Sequence, residues 1–349
     1  MSYLDETEAL THRGSLLSAQ RMIVASYDLE QQDRVDERFF ALSTETRVLN
    51  ATHRAFQLSY ETERTVHLIN GMGVTLGDSI IGLTALDAIR HRHPQVRFVV
   101  WRPARAPGYV EQLYRLAADV VAAPRGLPCS LDALPAGDTV IDVGNQLFWP
   151  EFASRPMIDF FLWALGVDAA SVPAERKRND WMARLMLPAL PETWRDQRYV
   201  LFCPTASTPV RSVPPALHAR MVDLLWQRLG LPVLGFGAVD HPRYVNVAGL
   251  SPDTETFLAW VKGARFVLTS DTAAVHIADG FSVPATAFFT TIAPDLRVRD
   301  YIHCTPVTLP LPDLRDMHAS GRARDLELVE AAFRQLPDDA IPLPELASR

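Results

Sequence analysis

Leu268-Thr269-Ser270-Asp271-Thr272-Ala273-Ala274-Val275-His276-Ile277-Ala278-Asp279, running on through Gly280-Phe281-Ser282-Val283-Pro284, decides how this chain folds. The apolar run from Ala264 to Leu268 reads as a buried strand, the polar residues after it as a turn, and a helix starts near Thr272. Ser270, Asp271 and Thr272 are all capping residue types, so the helix opens with backbone N–H groups facing outward. Such an end carries about half a positive charge and suits a phosphate. Asp271 before the helix and His276 one turn inside it add an acceptor for hydroxyls and a donor at the same spot. Taken alone, the same turn also serves any α/β protein as a simple cap.

A second strand–turn–helix lies upstream, in Thr65-Val66-His67-Leu68-Ile69-Asn70-Gly71-Met72-Gly73-Val74-Thr75-Leu76-Gly77-Asp78. Gly71, Gly73 and Gly77 allow a tight turn and close approach of another molecule. Asp78 stands at the mouth of a helix expected over 79–91, as an N-cap or as a chemical group. A third signal is Val200-Leu201-Phe202-Cys203 followed by Pro204-Thr205-Ala206-Ser207-Thr208-Pro209-Val210-Arg211-Ser212-Val213-Pro214: strand, small-polar loop, one basic residue, then proline before a helix.

Around these turns, strands and helices alternate. Between 65 and 167 the expected elements are 66–69, 79–91, 96–101, 109–118, 139–143 and 157–165. After a polar, proline-bearing stretch a second series follows at 199–203, 215–228, 232–236, 253–261, 266–268, 272–279 and 286–289, with a closing helix over 326–336. Near-continuous apolar strands with helices between them mark parallel sheets covered on both faces. The expected division is an N-terminal extension (1–64), a first Rossmann-like domain (65–170), a linker (171–198), a second Rossmann-like domain (199–325), and a closing helix and tail (326–349). The extension reads as partly helical, around Leu16 to Val24 and Gln31 to Phe40. It is an arm for the first domain or for a second copy of the chain.

Composition narrows the function. A net charge of −7 argues against general nucleic-acid binding, which wants a basic face. Cys129, Cys203 and Cys304 are far apart, so neither a zinc site nor a disulfide framework is indicated. The acidic start Asp5-Glu6-Thr7-Glu8 is unlike a signal peptide, and no apolar run reaches membrane-spanning length, which places the expected work inside the cell.

Taken in order over residues 64–310, the three turns resemble the glycosyltransferase family that includes the ADP-heptose:lipopolysaccharide heptosyltransferases. That family's first turn ends in Gly-Asp, matched by Gly77-Asp78. Its last motif, which opens Asp-Ser/Thr-Gly-x-x-His, is matched from Asp271 to His276, except that Ala273 replaces the glycine. Arg211 stands where a lysine is usual, the tryptophan before Pro214 is missing, and Asp240 is the nearest acid to an expected glutamate. The resemblance implies an α/β fold of the GT-B type, two Rossmann-like parallel-sheet domains facing across a cleft. It implies an inverting, metal-independent transfer, with no cofactor, of a heptose-like sugar from a nucleotide-diphosphate donor (ADP-heptose in the family) to a saccharide or glycolipid hydroxyl, as in lipopolysaccharide biosynthesis.

In such a reaction the acceptor hydroxyl loses a proton as it attacks, and the departing diphosphate needs its charge neutralised. Asp78 is the expected base and Arg211 the expected cation. Donor binding falls to Ser207, Thr208, Asp240, Asp271, Thr272, Ala273 and His276, with Asp240 on a ribose hydroxyl pair. Gly77, Asn145, Gln146 and Trp149 are expected at the acceptor. Arg90, Arg92, Arg97, Arg102 and Arg105 form a local basic run that reads as a solvated face, or as a contact for phosphates of a glycolipid at the inner membrane surface. Two other classes fit parts of the chain. Gly71-x-Gly73-x-x-x-Gly77 is a loosened dinucleotide fingerprint of an NAD(P)-dependent oxidoreductase, although Leu76 occupies the third glycine position and no acid follows the second strand. Ala273 is the hint toward a non-catalytic GT-B binding protein.

Overall fold

A computed structural model describes residues 3–32, 38–122 and 124–345. The chain divides into two compact units, Met1–Lys177 and Arg178–Arg349, so the division falls inside the stretch expected to be linker.

The first unit opens with α1 (Glu6–Thr11), β1 (Leu16–Ser18), β2 (Met22–Val24), α2 (Ser26–Glu30), β3 (Phe39–Ala41) and β4 (Val48–Leu49). It continues with β5 (Thr65–Ile69), α3 (Leu76–Arg92), β6 (Arg97–Arg102), α4 (Gly108–Leu116), β7 (Arg125–Gly126), β8 (Cys129–Ser130), β9 (Thr139–Asp142), α5 (Pro150–Ser154) and α6 (Met157–Ala164). The stretch from Leu16 to Val24, expected as helix, is instead an antiparallel hairpin with Leu17 opposite Ile23. Leu17, Ile23 and Leu42 are buried in one cluster with Val99, Trp101 and Val140 of the main sheet, and that tertiary burial overrides local helical spacing. Of the expected helix over 31–40, Phe39 and Phe40 are strand, and 33–37 lie outside the described residues. The hairpin joins β3 and β8 in a small sheet of order β3-β1-β2-β8.

The main sheet of this unit has the order β4-β9-β5-β6-β7, and all four pairings are parallel. Strand order reverses between β5 and β9: from β5 the chain builds outward through β6 and β7, then returns to pair on the other side. Open parallel sheets bind ligands at the strand C-termini beside such a reversal, because the two loops there diverge and leave a crevice. Asp142, the last residue of β9, is fully buried. Its carboxylate accepts from Ser15 N (2.7 Å), Ser15 Oγ (2.8 Å), Gly144 N (3.0 Å) and Asn50 Nδ2 (3.3 Å). Burial raises its pKa above the ordinary carboxylate value, with these donors opposing the rise. The N-terminal segment is thereby fastened to the C-terminal end of β9, beside the reversal.

The second unit contains α7 (Glu192–Arg195), β10 (Val200–Cys203), α8 (His218–Leu229), β11 (Val233–Gly235), β12 (Tyr244–Asn246) and α9 (Thr254–Gly263). After these come β13 (Val267–Ser270), α10 (Ala273–Gly280), β14 (Ala285–Phe289), β15 (Cys304–Thr308) and α11 (Ala323–Gln335). Its sheet runs β12-β11-β10-β13-β14-β15, parallel throughout. Counted from its own first strand this is 3-2-1-4-5-6, the order of dinucleotide-binding domains. β10 and β13 are buried at every position, as a sheet covered on both faces requires. Trp181 and Met182, within the expected linker, are buried in this unit, with the Met182 sulfur packed against Gly280.

Asp142 gives a test of the fold. Asp142→Ala would leave the donors of Ser15, Asn50 and Gly144 buried without an acceptor, and it should lower unfolding free energy by about 3 kcal/mol or more. Urea denaturation followed by far-UV circular dichroism measures it. An unchanged midpoint would mean that the network carries little stability.

Candidate functional site

In the first unit the reversal point is formed by the loops after β5 and β9. The turn Asn70–Thr75 holds Asn70 at φ 52° and Gly73 at φ 79°. A Cβ on Gly73 would lie 2.9 Å from Asp78 and from Gln146 Nε2, so only glycine fits there. Thr75, not Asp78, caps α3, its hydroxyl accepting from Asp78 N at 3.4 Å. Gly77 and Asp78 therefore lie inside the first helical turn, and the helix begins earlier than expected because Thr75 is the residue in extended cap geometry. With the cap supplied by Thr75, the Asp78 carboxylate accepts from Gln146 Nε2 at 3.2 Å, across the reversal point. Gln146 is buried, and its Oε1 has no hydrogen-bond partner among the described residues.

The turn is braced by Arg102, fully buried at the end of β6. Its guanidinium donates to Gly71 O, to Gly73 O at 2.6 Å and to Glu111 at 2.9 Å, and it lies 4.3 Å from the centre of the Tyr114 ring. This removes Arg102 from the expected basic run, whereas Arg92, Arg97 and Arg105 are exposed. Arg92 is also engaged, donating to Ser171 O at 3.3 Å, and Arg105 donates to Gln31 O.

Two of the residues expected at the acceptor are occupied elsewhere. Asn145, in left-handed geometry at φ 54°, donates to Leu10 O (3.0 Å) and His12 O (2.7 Å), tying down the N-terminal segment. Trp149 is 1% exposed, donates its indole N–H to Gly144 O at 2.9 Å and packs edge-on against Phe160 and Trp163. It offers no open face for a sugar, because an aromatic this large gains more from core burial than a surface site supplies. The aromatic beside it that does face solvent is Phe148.

In the second unit the reversal lies between β10 and β13, and the two key loops follow those strands. Arg211 donates to Asp271 Oδ2 at 2.9 Å and to Ser207 Oγ at 2.7 Å. Asp271 is 4% exposed, so this pair is largely removed from water. The remaining guanidinium nitrogen, Arg211 Nε, and the hydroxyl of fully buried Ser270 have no hydrogen-bond partner among the described residues. Thr272 is the N-cap of α10 but makes no side-chain cap bond, and Ala273 is the first helical residue. One cation, the hydroxyl of Ser207 and the start of a helix thus converge, which is the donor set that an anion needs.

Thr208 is close by but serves the loop's structure, its hydroxyl accepting from Ser320 N at 3.2 Å and donating to Ser320 O at 3.4 Å. His276 is buried inside α10 and meets the Tyr301 hydroxyl through Nδ1 at 2.8 Å. Burial holds its pKa down to about 4; Asp271 pulls it upward, while Arg297 and Arg211 press it lower. His318 is likewise held below its ordinary value, first by burial and then by Arg297 and Arg211. Arg297 and His318 are therefore part of the same electrostatic neighbourhood. No motif spacing pointed to them, because they come from loops after β14 and before α11. Asp240 lies on the loop after β11.

The charge on His276 sets a pH response. A histidine with an ordinary unfolded pKa that is lowered to about 4 in the fold stabilises the native state above the unfolded value. That stability is lost as pH falls through about 6.5 toward 4. Replacing His276 by Gln should therefore reduce the loss of unfolding free energy between pH 7 and pH 5 by about 2 kcal/mol. Asp279, raised to about 6 mainly by burial, acts with the opposite sign, so Asp279→Asn should steepen the same loss. Denaturant titrations at the two pH values check both signs.

No protein-family model and no curated protein matches the chain. Solved structures do. The dodecameric iron-containing heptosyltransferase TibC, in complex with ADP-D-beta-D-heptose, matches with a TM-score of 0.50 at 12% identity, over 78% of this chain and 74% of that one. The Escherichia coli heptosyltransferase WaaC, with ADP-2-deoxy-2-fluoro heptose, matches with a TM-score of 0.47 at 14% identity over 72% and 96%. The E. coli ADP-heptose lipopolysaccharide heptosyltransferase II matches with 0.43 at 14% over 78% and 99%. At these identities the likeness is one of fold. The parallel sheet of each unit and the match to TibC bear out the two Rossmann-like parallel-sheet domains that the resemblance implies.

Proposed function

We propose that the chain is an inverting glycosyltransferase that moves a sugar from a nucleotide-diphosphate donor to a hydroxyl of a saccharide or glycolipid, without needing a metal ion. The observation that carries this reading is the Ser207–Arg211–Asp271 group at the open start of α10, at the strand-order reversal of the second unit. A departing nucleoside diphosphate gains negative charge at that place. A guanidinium, a hydroxyl and helix N–H groups already fixed in position offset the charge without reorganising. Asp271 keeps Arg211 in place through a largely buried ion pair and faces the donor sugar's hydroxyls. It also cancels part of the cationic field of Arg211.

In the first unit Asp78 takes the proton of the attacking hydroxyl. Its place inside the first turn of α3, with Thr75 doing the capping, keeps the carboxylate out of the capping role, and Gln146 sets its direction. Because Gln146 is occupied there, and Asn145 and Trp149 are engaged in the fold, the acceptor rests on the turn Gly71–Gly77 and the exposed Leu147–Phe148 edge. The donor suggested by the resemblance, and by the ligand of the TibC complex, is ADP-heptose. Ala273 puts a methyl group where the family has glycine, so the diphosphate passes further from this helix start. Work on a lipopolysaccharide-type acceptor at the inner face of the membrane, from the cytoplasm, completes the reading.

One observation weighs against the dinucleotide-enzyme alternative. The arginine at the end of β6 that could face a 2′-phosphate is Arg102, buried against the glycine turn itself.

Three outcomes test the proposal. ADP at about 100 times its Kd, in the presence of chelator, should stabilise the protein by about 2.7 kcal/mol in a thermal-shift assay. A shift seen only with added Mg²⁺ or Mn²⁺ would overturn the metal-free scheme. Arg211→Ala should weaken ADP binding by at least about tenfold, since charge-assisted hydrogen bonds are worth about 1.5–3 kcal/mol. Asp78→Asn should retain the fold and ADP affinity but slow transfer by about 10²- to 10⁴-fold. Normal turnover in that variant would place the base elsewhere.

A further inference from the structure

His276 does not stand alone in α10. Behind it lies a buried polar chain running through Tyr301 and Asn179 to Asp279. The Tyr301 hydroxyl is 2.8 Å from His276 Nδ1 and 2.8 Å from Asn179 Nδ2. The His276 and Tyr301 rings meet edge-on at 5.7 Å. Asn179, Asp279 and His276 are all buried, with Asn179 fully so.

The placement of hydrogens along this chain follows from which groups can only accept. Asn179 Nδ2 faces Asp279 Oδ2 at 3.1 Å and His276 O at 3.1 Å. A carboxylate and a carbonyl only accept, so the amide must present its NH₂ on this side and not its oxygen. That NH₂ has two hydrogens for three contacts, so one of them is shared with the Tyr301 hydroxyl, and in no arrangement can it accept the phenol's hydrogen. That hydroxyl has a single hydrogen, and among the described residues the acceptor within hydrogen-bond distance of it is His276 Nδ1. Were Nδ1 protonated, the phenol would receive two donors and its own hydrogen would be stranded in the core, at a cost of about 1–3 kcal/mol.

We propose that Tyr301 is a positioning residue that locks His276 in the tautomer with its proton on Nε2, making His276 a permanent neutral hydrogen-bond donor beside the anion site. Asn179, held by Asp279 through both its backbone N–H (2.9 Å) and its side chain, sets the direction of the Tyr301 hydroxyl. Asp279 is in turn held by Arg178 at 3.2 Å. The imidazole sits one turn beyond the Thr272 cap, within electrostatic reach of Asp271, Arg297 and Arg211. A neutral donor suits that setting. An imidazolium would be opposed by two guanidinium groups and by burial, and a freely exchanging tautomer would present a lone pair to an anionic ligand half of the time. The identity of the anion as a nucleoside diphosphate rests on the function proposed above, whereas the tautomer rests on the hydrogen bonds alone.

The test is a long-range ¹⁵N–¹H correlation spectrum of the full chain labelled at histidine nitrogens, at pH 7, with His276 assigned by His276→Gln. The expected result is a protonated, pyrrole-type Nε2 and an unprotonated Nδ1. A protonated Nδ1, or an imidazolium, in the wild-type protein overturns the proposal whether or not any variant folds. Tyr301→Phe should then move His276 toward a mixture of tautomers and weaken ADP binding about tenfold, the worth of one hydrogen bond. Unchanged ADP affinity in that variant would overturn the positioning role. Absence of ADP binding to the wild-type protein would defeat the nucleotide reading and leave the tautomer result standing on its own.

Discussion

Each unit is organised by one constraint, the reversal of strand order in a parallel sheet. Chain that leaves β5 or β10 and chain that leaves β9 or β13 must part in opposite directions, and the loops between them cannot fill the space at the strand ends. The residues given chemical roles lie mainly on these four loops or at the start of the helix that follows. In the second unit the constraint brings Ser207 and Arg211 from one loop against Asp271 from the other, with Arg211 2.9 Å from Asp271 and 2.7 Å from Ser207. In the first it brings Gln146 to Asp78.

Those loops are kept in place by buried polar bonding together with buried apolar anchors such as Met72, Val210 and Val213. Arg102 braces the glycine turn, Asp142 gathers the N-terminal segment, and Thr208 stitches the Arg211 loop to Ser320. Buried groups of this kind contribute modestly when satisfied and are costly when one partner is removed, so they specify a conformation strongly. The N-terminal residues are part of this arrangement. Through Ser15, and through the Asn145 bonds to Leu10 and His12, they reach the strand C-termini of the first sheet, a position that a loosely attached arm would not hold.

Much of this was legible in the sequence, and the failures have physical causes. The alternation of apolar strands with helices showed both parallel sheets, because a strand buried on both faces leaves a continuous apolar run. The turns at Gly71–Asp78, Ser207–Arg211 and Asp271–Thr272 were readable because glycine, proline and capping residues mark local backbone geometry. The hairpin at 16–24 was not, since its reversal is made at Arg21 with φ 60° and no glycine or Asn-Gly pair announces it. Trp149 and Arg102 were misread for a related reason. Sequence gives the residue type and its distance along the chain, whereas burial of an indole or a guanidinium depends on the partners that the fold brings to it, such as Phe160 or Glu111. Tyr301 and Arg297 had no local signature at all, because they reach the site only through the packing of the last strands. Of the two alternatives for Asp78, the cap was removed by a detail of three residues: Thr75 takes it.

The central claim is that the reversal point of the second unit holds a nucleoside diphosphate. Hydrogen–deuterium exchange of the full chain with and without ADP locates the ligand directly. The account predicts slowed exchange in peptides spanning 204–212 and 270–276, where the Arg211 loop and the start of α10 carry the backbone amides that the phosphates would meet. Protection confined instead to the glycine turn at 70–78 would contradict it and return the chain to the dinucleotide-binding reading.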